Sequence, residues 1–493
     1  MDQHQIVFGR RGSGKSCLLV YFRRVVARKK RIHAITINGD TVKTLDYPDV
    51  LIRLLLAVFE GLPARQRVRR FIGRVFRRRS PVSAMLDELR GLLSLPVTSK
   101  LQVTTQKARS TRKSRSAKLA KGPAQLGVGR NRDDSSSIQE IRESDDEKIR
   151  WVDGRLADYK AVIQEEISES RAPFGVFIID DFYLVNPEYQ AEVVDYLHRL
   201  LRDTDLYLKI GTIKHRTRIS KTAGIRYGVQ PYQDVDTFSL DQTLEDLDRT
   251  SSYLEEMLRK LGREVKLEDA LSIVSDDARK DLVLLSGGVP RDYLNIFVEG
   301  LQRARSLTGR VRVTPTDLRK AAASLSQESK FDDLRDATGG EAPELETLFV
   351  DVVKFCLTEK RKTAFLISKD DIAANPAMHE LVLQLMDFKL IHLVDESTSA
   401  ASGRPGRFEA YTLDFALFME PRRRNIEIVK FWETDHEHRR VRMREAPVYA
   451  LSRAVTVVAG TPVSAEEALQ LAADVPEEPA ESLELKLFAD PAG

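Results

Sequence analysis

The stretch GRRGSGKS at residues 9–16 constrains the fold of this chain more than any other feature. It fits the pattern glycine, four residues, then Gly-Lys-Ser. It lies between the apolar run QIVF (5–8) and a helix-patterned segment from Gly14 to about Lys29. A strand, a tight glycine-rich turn and a helix are what such a pattern requires. Glycines let main-chain N–H groups converge on an anion, and the helix N-terminus adds partial positive charge. Gly9, Arg10, Arg11, Gly12, Ser13, Gly14, Lys15, Ser16 and Cys17 are therefore the candidate phosphate-binding residues. Lys15 is placed to reach β- and γ-phosphates and Ser16 to ligate Mg²⁺, so the expected ligand is ATP or GTP. Cys17 also reads as a small core residue of the helix.

A second anchor stands at FGVFIIDDFYL (174–184), an apolar strand that ends in two acids. A carboxylate at the tip of a buried strand beside such a loop can hold the Mg²⁺ shell, which is assigned to Asp180. Asp181 then orients or deprotonates the attacking water. Further strands are expected at 31–39, 206–213 and 235–240, alternating with helices at 49–60, 148–168 and around Tyr189–Leu200. This alternation implies a parallel α/β sheet. Residues 241–328 read as helical throughout.

Charge divides the chain unevenly. The formal net charge is +4, yet residues 62–132 carry nineteen Lys/Arg and two acids, so the rest sums to −13. That basic stretch points to a polyanionic partner, DNA first, bound through its phosphates. Residues 98–145 have too few apolar groups to offset the entropy of ordering and read as disordered. Removing 62–146 as a basic, partly disordered insertion brings the two phosphate-site motifs to an ordinary separation. No apolar run is long enough to span a bilayer, and two cysteines make no disulfide framework, which points to a cytoplasmic setting without membrane contact.

Residues 340–435 change character. Two helices bracket a short strand, and LIHLVD and FEAYTLDF flank the loop ESTSAASGRPGR, a winged-helix plan. Its expected recognition helix shows Met378, His379, Glu380, Gln384 and Asp387, not a basic face. Arg404, Arg407 and Arg422–Arg424 are candidate phosphate contacts. Residues 436–493 form a C-terminal extension with an acidic tail, and His436 and His438 read as surface residues.

The order of P-loop, acidic strand end, KIGT strand, helical segment with GGVPR, then winged helix resembles the AAA+ ATPases, nearest the origin-recognition and replication-initiator branch. The signal-transduction ATPases with numerous domains share the Asp-Asp end and the Gly-x-Pro motif. The resemblance implies an α/β P-loop core (1–240), a helical lid (241–328) and an α+β winged-helix domain. It also implies Thr212 as a sensor of the γ-phosphate, Arg291 as the lid arginine and Arg226 as an arginine finger, with Arg216 and Arg218 competing for that role. Self-association with ATP follows by the same analogy. Asp-Asp replaces the family's usual Asp-Glu, and threonine replaces its usual asparagine. Both imply slow, switch-like hydrolysis. The expectation is an ATP-controlled, DNA-associated switch; the alternative is a signalling ATPase that controls a protein effector without DNA.

Overall fold

The computed structural model describes residues 2–63, 80–94, 145–223, 225–267, 269–309, 312–338, 342–401, 405–418, 426–433 and 441–460. Contacts divide these residues into two units. One comprises Met1–Gly9 with Lys15–Ser239; the other comprises Arg10–Gly14 with the residues from Leu240 onward.

The first unit is built on a five-stranded sheet. Its strands are β1 (Gln5–Phe8), β2 (His33–Asn38), β3 (Gly175–Asp180), β4 (Leu206–Thr212) and, after a β5–β6 hairpin (Ser220–Ala223, Ile225–Gly228), β7 (Asp236–Ser239). The order is β2-β3-β4-β1-β7 and every pairing is parallel. The expected parallel α/β sheet, with its strand, turn and helix at residues 5–21, is what forms. β3 and β4 are buried along almost their whole length, as continuous apolar runs covered on both faces must be. The hairpin β5–β6 was not anticipated, because SKTAGIRYG carries no apolar alternation.

Helices cover the sheet. Asp49–Gly61 buries Val50, Leu51, Ile52, Leu54, Leu55, Leu56, Val58 and Phe59, so it is enclosed on nearly all sides. One cover is the helix Pro81–Ser94, which places Val82, Met85 and Leu89 in the same core. Arg90 reaches Glu60 at 2.9 Å, and Arg155 and Trp151 both bind Glu88. This part of the 62–146 stretch therefore belongs to the packed domain. Residues 64–79 and 95–144, including the segment read as disordered, lie outside the described residues.

The second unit begins with helices Leu247–Glu264, Asp276–Leu285, Pro290–Thr308 and Pro315–Thr338. Pro290 occupies the first turn of its helix and Gly309 closes it in the left-handed conformation. Helix Ala342–Val353 follows, then β8 (Ala364–Ser368), helices Lys369–Ala374 and Pro376–Asp387, β9 (Ile391–Thr398) and β10 (Phe408–Leu413). The antiparallel order is β8-β10-β9. Residues 441–460, placed by sequence in a C-terminal extension, pack into this module. Tyr449 N–H donates to Leu366 O at 2.8 Å, and Arg453 forks onto Asp351 and Glu359.

Candidate functional site

Register places the sequence motifs at one rim of the parallel sheet. Phe8 pairs with Thr212 and Ile210 with Ile179, so β1, β4 and β3 end together, with β4 between the other two. Two strand spacings, about 10 Å, separate the loop that follows β1 from the acids that end β3. Parallel α/β sheets bind ligands outside the carboxyl ends of their strands, and this rim is that edge.

Gly9 N–H donates to Thr212 O at 3.1 Å, tying the start of the loop to β4. Lys15 is buried and its Nζ donates to Gly9 O at 2.6 Å, holding the ammonium inside the curve of the loop. Leu19 packs with Val176 and Ile178 of β3, which fixes the helix on the sheet. Ser16 is exposed. Cys17 is exposed as well, not a core residue. The buried face is set by Lys15 and Leu19, four residues apart, and a residue two positions on points away from it.

Asp180 is half-buried, and its Oδ1 accepts the N–H of Asp181 at 3.0 Å. Gly211 of β4 lies beside it: a Cβ there would come within 3.0 Å of Asp180 Oδ1 and 2.9 Å of Leu19. Asp181 has φ +53, an uncommon conformation for a residue other than glycine. Gly39, after β2, accommodates it, since a Cβ at Gly39 would lie 2.3 Å from Asp181 O. Thr212 is fully buried and shares a 2.5 Å hydrogen bond with Thr217 Oγ1. The sequence reading missed Gly39, Gly211 and Thr217; the glycine just after β2 and the one inside the end of β4 were the available signal.

The loop tip makes a different set of contacts. Arg10 N–H donates to Asp241 Oδ1 at 2.7 Å, so this amide, counted among the phosphate donors, is already used within the protein. The Arg10 guanidinium is buried and donates to Gln242 O and Gly287 O. Arg11 pairs with Asp333. Neither arginine side chain is therefore placed as a phosphate ligand. Gly12 has φ +95, and a Cβ there would meet Val289 at 2.9 Å and Arg291 Nε at 3.0 Å. Arg291 N–H also donates to Gly12 O at 3.3 Å, so the arginine of GGVPR lies against the loop. Gly14 has φ +102, and its missing Cβ would point into open space.

Arg226 lies on β6, in register with Thr222. Arg216 stacks over Tyr183 at 4.6 Å, and Arg218 N–H donates to Gln190 Oε1. Arg407 donates to Ser397 O, while Arg404, Arg422–Arg424, His436 and His438 lie outside the described residues. On Pro376–Asp387, Met378, Gln384 and Asp387 are buried, and His379 bonds Glu409 at 2.9 Å.

The loop suits a polyphosphate. Two positive-φ glycines, a buried lysine and a buried Ser13 Oγ without a hydrogen-bond partner among the described residues surround a turn that opens at Gly14. The hydroxyl of Ser16 and the carboxylate of Asp180 are oxygen donors of the kind a hydrated Mg²⁺ takes.

The fold and rim define a parallel α/β protein with a glycine-rich strand–loop–helix at the carboxyl edge of its sheet. No family model matches the sequence, and no curated protein matches it. Among solved structures, Aeropyrum pernix ORC1 in complex with DNA aligns with 84% of this chain and 83% of its own, at 12% identity and a TM-score of 0.32. The Thermotoga maritima RuvB Holliday junction branch migration motor covers 82% and 84% at 11% identity and TM-score 0.30. Drosophila ORC bound to DNA covers 84% and 78% at 12% and 0.32. Superposition at this level transfers no residue role and no activity to this chain.

Proposed function

We propose that this chain is a magnesium-dependent, slowly hydrolysing P-loop ATPase of AAA+ type that acts as a DNA-associated switch. One observation carries the reading: Lys15, at the start of the loop helix, and Asp180, at the end of β3, belong to the same rim of one parallel sheet. Lys15 holds the β- and γ-phosphates, and the open turn at Gly14 leaves room for them. Ser16 and Asp180 hold Mg²⁺, which would offset charge developing on the transferred phosphoryl group. Asp181 orients the attacking water and takes its proton, and Thr212 and Arg291 sense the γ-phosphate. Arg226 is the arginine finger, supplied to a neighbouring copy. Asp181 is one methylene shorter than glutamate, which favours slow turnover.

DNA association draws on charge. Arg23, Arg24, Arg28, Lys29, Lys30 and Arg31 are all exposed within ten residues, and none is ion-paired among the described residues. Such a surface attracts phosphate backbones without reading bases. The α+β module is read as a winged helix. Its buried Met378, Gln384 and Asp387 leave little for base contact and favour a protein-docking role, which is the alternative of a signalling ATPase without DNA. A salt series decides between them. Duplex affinity that falls steeply with ionic strength, with a log–log slope reduced by about 2 in Lys29→Ala/Lys30→Ala, supports DNA association. No duplex binding at low salt sinks it. ATP turnover raised by neither DNA nor self-association, yet fast, contradicts the switch.

A further inference from the structure

The buried contacts of Arg10 continue well beyond the loop. Its Nη1 lies 3.4 Å from His392 Nδ1, on β9. His392 Nε2 lies 2.7 Å from Asp414 Oδ2, just after β10, and Lys330 Nζ is 2.6 Å from Asp414 Oδ1. All four side chains are at most 6% exposed. Lys330 also donates to Lys389 O at 3.2 Å, and Lys389 Nζ is 2.8 Å from Asp292. Asp292 follows Arg291, whose N–H donates back to Gly12 O. The polar chain thus leaves the phosphate loop at Arg10 and returns to it at Gly12.

The imidazole has one consistent state here. Nε2–H donates to the Asp414 carboxylate, and Nδ1 is left to accept from the Arg10 guanidinium. Burial holds His392 below its ordinary pKa, against the pull of Asp414, which suits that neutral form. Gly287 makes the room. It sits at φ +55, and a Cβ there would fall 2.2 Å from His392 Cε1. A chain of enclosed hydrogen bonds and ion pairs has few alternative arrangements, which would let movement at one end be felt at the other.

We propose that Arg10, His392, Asp414 and Lys330 form a buried relay through which the phosphate loop and the β8–β10 sheet set each other's conformation, making His392 a positioning residue for nucleotide binding. The relay rests on the reading of the loop as a nucleotide site. By linkage, a ligand that fixes the loop must also stiffen β9 and β10, and loosening β9 must weaken that ligand.

The experiment is MgATP titration combined with hydrogen exchange on the full chain. MgATP slows exchange at 391–398 and 408–413 in the wild type. His392→Leu weakens MgATP about 10-fold and abolishes that slowing, as expected for loss of a hydrogen bond to a charged group. His392→Gln, whose amide NH₂ can donate and whose carbonyl can accept, stays within about 3-fold of the wild type. Arg10→Met repeats the comparison from the loop end if His392→Leu lacks a cooperative thermal transition, and it too must lose the slowed exchange. Wild-type MgATP affinity in His392→Leu, or slowed exchange that persists in Arg10→Met, overturns the relay while leaving the nucleotide site intact. A wild-type chain that binds no MgATP overturns both.

Discussion

Asp180 ends one strand and Asp414 follows another, and the fold treats them in opposite ways. Asp180 closes β3 half-buried at an open sheet rim, where its Oδ1 accepts the next residue's N–H. Asp414 follows β10 completely enclosed, with Lys330 at 2.6 Å and His392 at 2.7 Å. A carboxylate withdrawn from water must be neutralised by the protein itself, and Asp414 is. One at the water's edge keeps lone pairs for a cation that arrives with a ligand. The first arrangement specifies structure, and the second is the one the proposed metal role requires.

The comparison is sharpest in stability. Asp414→Ala leaves a lysine and an imidazole buried without their acid and is expected to cost about 3–5 kcal/mol, read by denaturant unfolding. Asp180→Ala is expected to cost less than about 1 kcal/mol in the same assay. Equal costs would dissolve the distinction. Next comes the rim itself. Lys15→Ala removes a charge-assisted contact to phosphate and should weaken MgATP by about 100-fold, with an unchanged circular dichroism spectrum. Retained affinity would mean that the loop is not the site.

Gly287→Ala perturbs the buried set without altering a charge. Its Cβ would strike the His392 ring, so a loss of about 1–3 kcal/mol is expected. A neutral result would show that the ring can move freely.

The smallest effect uses pH. His4, at the far edge of the parallel sheet, accepts the N–H of Leu208 at Nδ1, and burial pushes its pKa down to about 4. Its folded pKa is below the ordinary 6.5, so its contribution to stability is complete above 6.5 and is lost as pH falls towards 4. The slope is at most about 1.4 kcal/mol per pH unit and should shrink in His4→Gln, measured by unfolding at pH 4.5 to 7. His392, buried beside a carboxylate, is a contrasting case: Asp414 opposes the desolvation that acts on it.

Some of this was legible in the sequence, for a physical reason. Continuous apolar runs such as GVFIID and LYLKIGT have one comfortable fate, a strand covered on both faces, and the loop motif fixes what precedes and follows it. Cys17 failed because a short helix beside a turn does not reveal which arc faces the sheet. The side-chain contacts of Arg10 were not legible: its partner His392 is 382 residues away, and no local periodicity connects them. The double glycine of GGVPR was the visible trace, since Gly287 is where an imidazole needs space.

The central claim is that the loop and the acidic end of β3 serve one magnesium–triphosphate ligand. The direct test is calorimetric titration of ATP with and without Mg²⁺, on the wild type and on Asp180→Asn. The account predicts that Mg²⁺ tightens ATP binding to the wild type at least about 10-fold, and that this gain disappears in Asp180→Asn while metal-free ATP affinity is kept. The same Mg²⁺ gain in both proteins would place the metal elsewhere and contradict it.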